Sequence, residues 1–319
     1  MTKNIVFLDS STVGNVPNIH RFRDFGELKI YDNTLPDQLF ERTRDADIII
    51  TNKVMIDREI MNHAKKLKLI CIAATGMNNV DLEYARKNKI PVINVENYST
   101  YSVTQSTFSM LLYLLNHARY YDEYVKSGSY AKSPIFTHHG RTFYELKGKV
   151  YGIIGLGNIG KSVAKLAEAF GCRIIYYSTS GKNIDPQYRR VELDKLLTIS
   201  DIISIHAPLN EKTRDLISYK ELIRMKSHAI LINVGRGGIV NEKDLAKALD
   251  GGIIFGAGID VLSNEPIDEN NPLLDIKNKE KIYITPHVAW ASLEARTLLI
   301  EKVYENIKSF IGEKHNYTS

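Results

Sequence analysis

Cysteine is nearly absent from this chain of 319 residues: the two, Cys71 and Cys172, lie far apart, each in or beside an apolar run (LKLICIAA, GCRIIYY). That excludes a disulfide framework and matches no metal spacing, so each reads as a small buried hydrophobe in a reducing compartment. Long hydrophobic runs are missing as well. The most apolar late stretch, Met110 to Leu115, is far short of the roughly 20 residues of a membrane helix. The opening MTKNIVFLDSS has too few apolar residues before Asp9 to suit a secretory leader. A cytoplasmic protein without membrane association is therefore expected. No sign of charge dominates: 42 basic and 37 acidic residues leave +5. The basic residues are scattered, and nucleic acid, which calls for a concentrated basic face, is not expected as a partner. His138 and His139 have no acidic or cysteine neighbour at ligand spacing, so no metal is expected.

Short β-rich runs alternate with amphipathic stretches through the first hundred residues. The runs are Ile5 to Leu8, Leu28 to Tyr31, Asp47 to Thr51, Leu67 to Ala73 and Pro91 to Val95; the helical patterns are Pro36 to Arg44, Asp57 to Lys65 and Val80 to Lys87. This is the βαβ rhythm of a parallel sheet covered by helices. From Ser99 to about Gly128 the pattern is helical, and SYAKSPIFTHHGRTFYELKGK then reads as an aperiodic arm, a candidate subunit contact. A second α/β series follows, with strands Val150 to Ile154, Arg173 to Tyr177, Asp201 to His206, Ala229 to Val234, Ile253 to Asp260 and Lys281 to Thr285. Six strands in this compass suit a doubly wound dinucleotide domain. Ser292 to Ile311 reads as a last helix, too short for a domain and expected to return to the first half.

The strand Val150 to Ile154 runs straight into Gly155-Leu156-Gly157-Asn158-Ile159-Gly160 and a helical pattern. The first glycine permits the turn, the second lets backbone approach a pyrophosphate, and the third lets helix and strand pack closely. The helix start then offers free N–H groups to the phosphates. An NAD site usually places an acid about 20 residues on, to hold the ribose hydroxyls. Here the second strand ends in Tyr177-Ser178-Thr179-Ser180-Gly181-Lys182, and no acid comes before Asp185. Two readings stand side by side: hydroxyls and a lysine that admit the 2′-phosphate of NADP(H), or Ser178 bonding the ribose of NAD(H).

Three later strands end in unusual polar residues, Arg236, Glu265 and His287. Ligands of open parallel sheets bind outside the carboxyl ends of the strands, so the three are expected to converge. An arginine fork binds a carboxylate and polarises the neighbouring carbonyl. A histidine protonates the alkoxide that develops as hydride arrives, and a glutamate beside it stabilises imidazolium.

With these residues in place, the chain resembles the D-isomer-specific 2-hydroxyacid dehydrogenases over nearly its whole length. The motifs are GLGNIG, HAPLNEKTRDLI (His206 to Ile217), LINVGRGGIVNEKDLAKAL (Leu231 to Leu249), GAGIDVLSNEP (Gly256 to Pro266) and TPHVAW (Thr285 to Trp290). The family's catalytic Arg, Glu and His fall on Arg236, Glu265 and His287. The resemblance implies cofactor contacts from Gly155, Gly157, Asn158, Ile159, Gly160, Ser178, His206, Pro208, Asn233, Val234 and Gly235, with Asp260 bonding the nicotinamide carboxamide. It implies that the loop Ala74 to Asn79, including Thr75 and Gly76, holds the substrate carboxylate through backbone amides. It also implies a flavodoxin-like substrate lobe built from 1–98 and 287–319 around a Rossmann-type cofactor lobe of 99–286, and a homodimer using an arm near 119–147. Trp290 after HVA resembles the glycerate dehydrogenases and hydroxypyruvate reductases, where an indole would narrow the pocket for a small side chain. Two departures stand out: Thr104-Gln105-Ser106 where the family often has Ala-Glu-His, and Ser178 for the ribose-binding acid.

The function expected is NAD(P)H-dependent reduction of a small 2-keto acid, with hydroxypyruvate to D-glycerate first among the candidates. Formate, phosphite and phosphoglycerate dehydrogenases are the rival enzymes. A dinucleotide-sensing corepressor-like scaffold is the non-enzymatic alternative, disfavoured because no Pro- or Ser-rich tail follows the last helix.

Overall fold

The computed structural model describes residues 2–316. The chain forms two units: one runs to Ser99 and resumes at Ala291, the other is Thr100–Trp290. The second crossing thus comes after Trp290, whereas the sequence boundary was drawn before His287, and the histidine turn belongs with the central unit.

In the first unit, strands β1 (Lys3–Phe7), β2 (Gly26–Ile30), β3 (Ile48–Thr51), β4 (Leu69–Ile72) and β5 (Val92–Ile93) lie in the order β2-β1-β3-β4-β5. All are parallel, and the order is the flavodoxin-like one. β3 and β4 are buried at every residue, which is why IIIT and LICI are unbroken rather than alternating. Asp57 and Asp81 start the helices Arg58–His63 and Leu82–Lys87 by accepting first-turn N–H groups. The last helix, Leu293–Asn316, is part of this unit. It buries Leu299, Ile300, Val303 and Ile307, a helical stripe. Asn18 Nδ2 donates to Thr297 O at 3.0 Å, and Lys302 Nζ to Glu96 O at 2.8 Å.

The central unit holds β6 (Val150–Ile154), β7 (Arg173–Tyr177), β8 (Arg189–Arg190), β9 (Ile202–Ile205), β10 (Ile230–Asn233), β11 (Gly256–Ile259) and β12 (Ile282–Ile284). Their order is β12-β11-β10-β9-β6-β7-β8, again all parallel. Two apolar clusters cover its faces, one around Ile154, Leu231 and Leu249, the other around Tyr151, Val163 and Ala167. The winding direction reverses between β6 and β9, and a crevice for a ligand opens at such a reversal.

Two details depart from the sequence reading. β8 was not foreseen, since two exposed arginines carry no apolar signal. The helical stretch 99–128 is two helices, Thr100–Leu115 and Ala118–Lys126. They break at His117, whose left-handed backbone (φ +48°) no helix continues. The arm beyond is tied down by tyrosines: Tyr120 Oη pairs with His138 Nε2 at 2.8 Å, Tyr130 Oη donates to Phe136 O at 2.6 Å, and Tyr124 stacks on His138. Among the described residues no helix is long and apolar enough to cross a membrane.

Candidate active site

The glycine loop after β6 divides its labour among three residues. Gly155 has φ +91°, and a Cβ there would stand 2.9 Å from Ala207 N. A Cβ on Gly160 would meet Gly155 O at 2.4 Å, so this glycine sets how closely helix Asn158–Ala169 packs on its strand. Gly157 is different. Nothing lies within 4 Å of the Cβ it lacks, so the backbone is bare on an open side at the helix start. At the end of β7, Ser178 is buried and its hydroxyl has no protein partner among the described residues. A bare helix start and an orphaned hydroxyl one strand away fit the pyrophosphate and ribose of a dinucleotide. Asp185, the first acid after β7, is engaged elsewhere. It pairs with Lys161 Nζ at 2.9 Å and accepts from the N–H groups of Gln187 and Tyr188; chiefly the lysine holds its carboxyl below the usual range.

Arg236, Glu265 and His287 stand on the loops that follow β10, β11 and β12. Asn233, the last residue of β10, braces the first of these loops. Its Nδ2 donates to Arg236 O at 3.0 Å and its Oδ1 accepts from Gly235 N at 3.1 Å. Gly237 lies against the second loop, for a Cβ there would be 1.9 Å from Leu262 O. The Arg236 guanidinium is exposed and gives Nη1 to Gly235 O at 2.8 Å. Glu265 Oε1 accepts from Leu262 N at 3.0 Å, and its Oε2 meets His287 Nδ1 at 2.7 Å. The structure therefore brings Glu265 and His287 into direct contact and leaves the imidazole Nε2 facing away from the carboxylate.

Asp260, at the end of β11, is 1% exposed and governs the His287 turn. Its Oδ1 accepts from Thr285 Oγ1 at 2.7 Å, Val288 N at 2.8 Å and Ala289 N at 3.1 Å; its Oδ2 accepts from Ala289 N at 3.0 Å. The backbone N–H of His287 donates to Asp260 O at 2.8 Å, and the residue takes φ +54°. From helix Thr100–Leu115, Ser102 Oγ donates to Ala289 O at 2.7 Å and Ser106 Oγ to the same oxygen at 3.3 Å. Ser106 belongs to the departure Thr104-Gln105-Ser106, in which Thr104 only bonds back to Thr100 O and Gln105 is exposed. Nothing in the sequence signalled Ser102, whose partner is 187 residues away.

The remaining candidates are more dispersed. Val234 and Gly235 are buried beneath the Arg236 loop, while Asn158 and Pro208 are exposed at their loops. His206 turns its ring inward: Nε2 meets Ser204 Oγ at 2.8 Å, Nδ1 is sealed without a partner among the described residues, and burial pushes its pKa down to about 3. Its backbone carbonyl carbon, with Ala207, forms the wall beside Gly155. Trp290 is partly buried against the cluster that includes Val103 and Ala289. Thr75 and Gly76 belong to the other unit. Thr75 Oγ1 donates to Val95 O at 2.9 Å and Thr75 O accepts from Asn94 Nδ2 at 2.7 Å, which holds their loop open after β4.

Comparison with known proteins converges on one family. Residues 108–289 match the model described as D-isomer specific 2-hydroxyacid dehydrogenase, NAD binding domain. The chain is 37% identical to a glycerate dehydrogenase of Methylorubrum extorquens over 98% of each chain. It is 36% identical to a hydroxypyruvate reductase of Blautia hydrogenotrophica over 90% of this chain and 89% of the relative. Among solved structures, an acyclic imino acid reductase in complex with NADPH and D-Arg superposes with a TM-score of 0.86 at 28% identity, covering 98% of both chains.

Proposed function

The chain belongs to the D-isomer-specific 2-hydroxyacid dehydrogenases, oxidoreductases that use a nicotinamide dinucleotide, and from that premise we propose that it reduces hydroxypyruvate to D-glycerate. The observation that carries the chemistry is the 2.7 Å pair between Glu265 and His287 beside the Arg236 loop.

When bound, the dihydronicotinamide supplies the hydride. Arg236 spends one N–H on Gly235 O, so most of its fork is left to take the substrate carboxylate and draw electron density from the carbonyl. Glu265 accepts from Nδ1–H and so fixes the ring of His287, which, when protonated, presents Nε2–H to the carbonyl oxygen. As the C–H bond forms, the oxygen gathers charge and takes that proton. His287 is left neutral, with Nδ1–H still on Glu265. In this reading Trp290 limits the side chain admitted.

Two finer assignments complete the proposal. The turn after β7 accepts the 2′-phosphate of NADP(H), because no carboxylate is free there to repel it and Asp185 is committed to Lys161. The protein is a cytoplasmic homodimer joined through the arm near 119–147, where Ile135, Phe136, Phe143 and Tyr144 are exposed apolar side chains. Its two unpaired, buried cysteines suit a reducing compartment.

The test is a panel of hydroxypyruvate, glyoxylate and pyruvate, run with NADPH and NADH on the wild type and on His287→Ala. Hydroxypyruvate should give the highest kcat/KM. The variant should lose about 100-fold or more in kcat, the usual worth of a general acid, and still quench protein fluorescence on binding cofactor. Near-normal turnover in the variant would remove His287 as proton donor; preference for another keto acid would overturn the substrate assignment.

A further inference from the structure

We infer that Arg190, on the edge strand β8, is the residue that reads the 2′-phosphate of NADP(H); the inference rests on the reading above that the turn after β7 admits that phosphate. Three observations carry it. First, β8 pairs with β7 in parallel so that Arg190 lies opposite Tyr176, about 4.8 Å away across the ladder and just short of Ser178 along the sheet. Second, the turn itself is closed by Gly181 N donating to Ser178 O at 3.1 Å, and Arg190 Nη1 donates to Gly181 O at 2.8 Å. Its Nη2 lies 3.8 Å from the place a Cβ on Gly181 would take. The guanidinium is thus laid on the turn that stands where other dinucleotide sites keep their acid. Third, among the described residues neither Arg190 nor Lys182 is paired with a carboxylate, whereas Asp185 is consumed by Lys161. The turn therefore carries uncompensated positive charge beside the buried, partnerless hydroxyl of Ser178.

A mere brace for Gly181 O would need one neutral donor. Arginine brings five N–H groups in a plane, and one hydrogen bond leaves the others for a phosphate, which a guanidinium meets in a bidentate manner. A ribose hydroxyl gains little from such a partner; a phosphate dianion gains much. β8 is two exposed residues long, and its pairing with β7 brings this side chain up to the turn.

The experiment measures binding of two cofactor fragments to the full chain by calorimetry: adenosine 2′,5′-bisphosphate and 5′-AMP. The wild type should favour the bisphosphate by about tenfold or more. Arg190→Ala should shrink that preference by about 10- to 100-fold, the worth of hydrogen bonds to a charged group, and Arg190→Lys by less, since it keeps the charge. The ratio of kcat/KM for NADPH over NADH should follow the same order. If the preference survives Arg190→Ala, another group reads the phosphate and only the assignment to Arg190 falls. If both fragments weaken equally, Arg190 is a brace and the inference also falls. A wild type without preference would overturn the reading of the turn and the inference together.

Discussion

His287 is held by its backbone as much as by Glu265. A left-handed φ of +54° costs a non-glycine residue on the order of 1 kcal/mol or more, and it persists because the Asp260 carboxylate collects the N–H groups of Val288 and Ala289. Strain is thus offset by charge-assisted hydrogen bonds a few atoms away. His206, by contrast, is a histidine kept from ionising. Its folded pKa is pushed by burial from 6.5 to about 3, so in that window the unfolded chain binds the extra proton and the folded one does not. The stability tied to the neutral ring is complete above pH 6.5 and is lost as pH falls towards about 3. His206→Gln should remove this component. Urea melts at a series of pH values should show the wild type losing up to about 1.4 kcal/mol per pH unit more than the variant. Parallel pH profiles would mean that the ring is hydrated. Arg236, Glu265 and His287 were legible because each follows an apolar strand with a polar residue where a loop needs none. The Asp260 grip and Ser102 were not, since a hydrogen bond to a remote backbone leaves no periodic trace.

At the level of elements, sequence reading finds both the strands buried at every residue, such as β3, β4, β9 and β10, and half-buried ones such as β2 and β12, because each carries an apolar run. The one it missed, β8, is exposed and charged. Arm and helix were separable only in outline, because the break at His117 is a matter of backbone angle. The strand–turn–helix unit around β6 gives a sharper test. Gly157→Ala places a methyl where no atom lies within 4 Å, so the melting temperature should hardly move. If this open side takes the pyrophosphate as proposed, cofactor affinity should drop by roughly tenfold or more. Gly160→Ala drives a methyl to 2.4 Å from Gly155 O and should cost about 1–3 kcal/mol of stability by overpacking. Calorimetric melts and fluorescence titrations on both variants separate the cases. An equal loss of stability in the two would contradict the assignment of the open side to the cofactor.

For the whole molecule, the arm carries the exposed apolar side chains Ile135, Phe136, Phe143 and Tyr144. Phe136 is 88% exposed although its carbonyl is pinned by Tyr130, an ordered segment displaying apolar surface. Sedimentation should give the wild type twice the chain mass, and Phe136→Asp should shift it towards the monomer at micromolar concentration; a monomeric wild type would end the dimer proposal. Two series of strands in the sequence outline two α/β units, yet only the folded structure places the His287 turn with the central one. That turn has an outcome of another kind. Ala289 is gripped at its N–H by Asp260 and at its carbonyl by Ser102, so the chain position of residue 290 is settled before any side chain is chosen there. A substitution at Trp290 should therefore leave the Glu265–His287 pair in place.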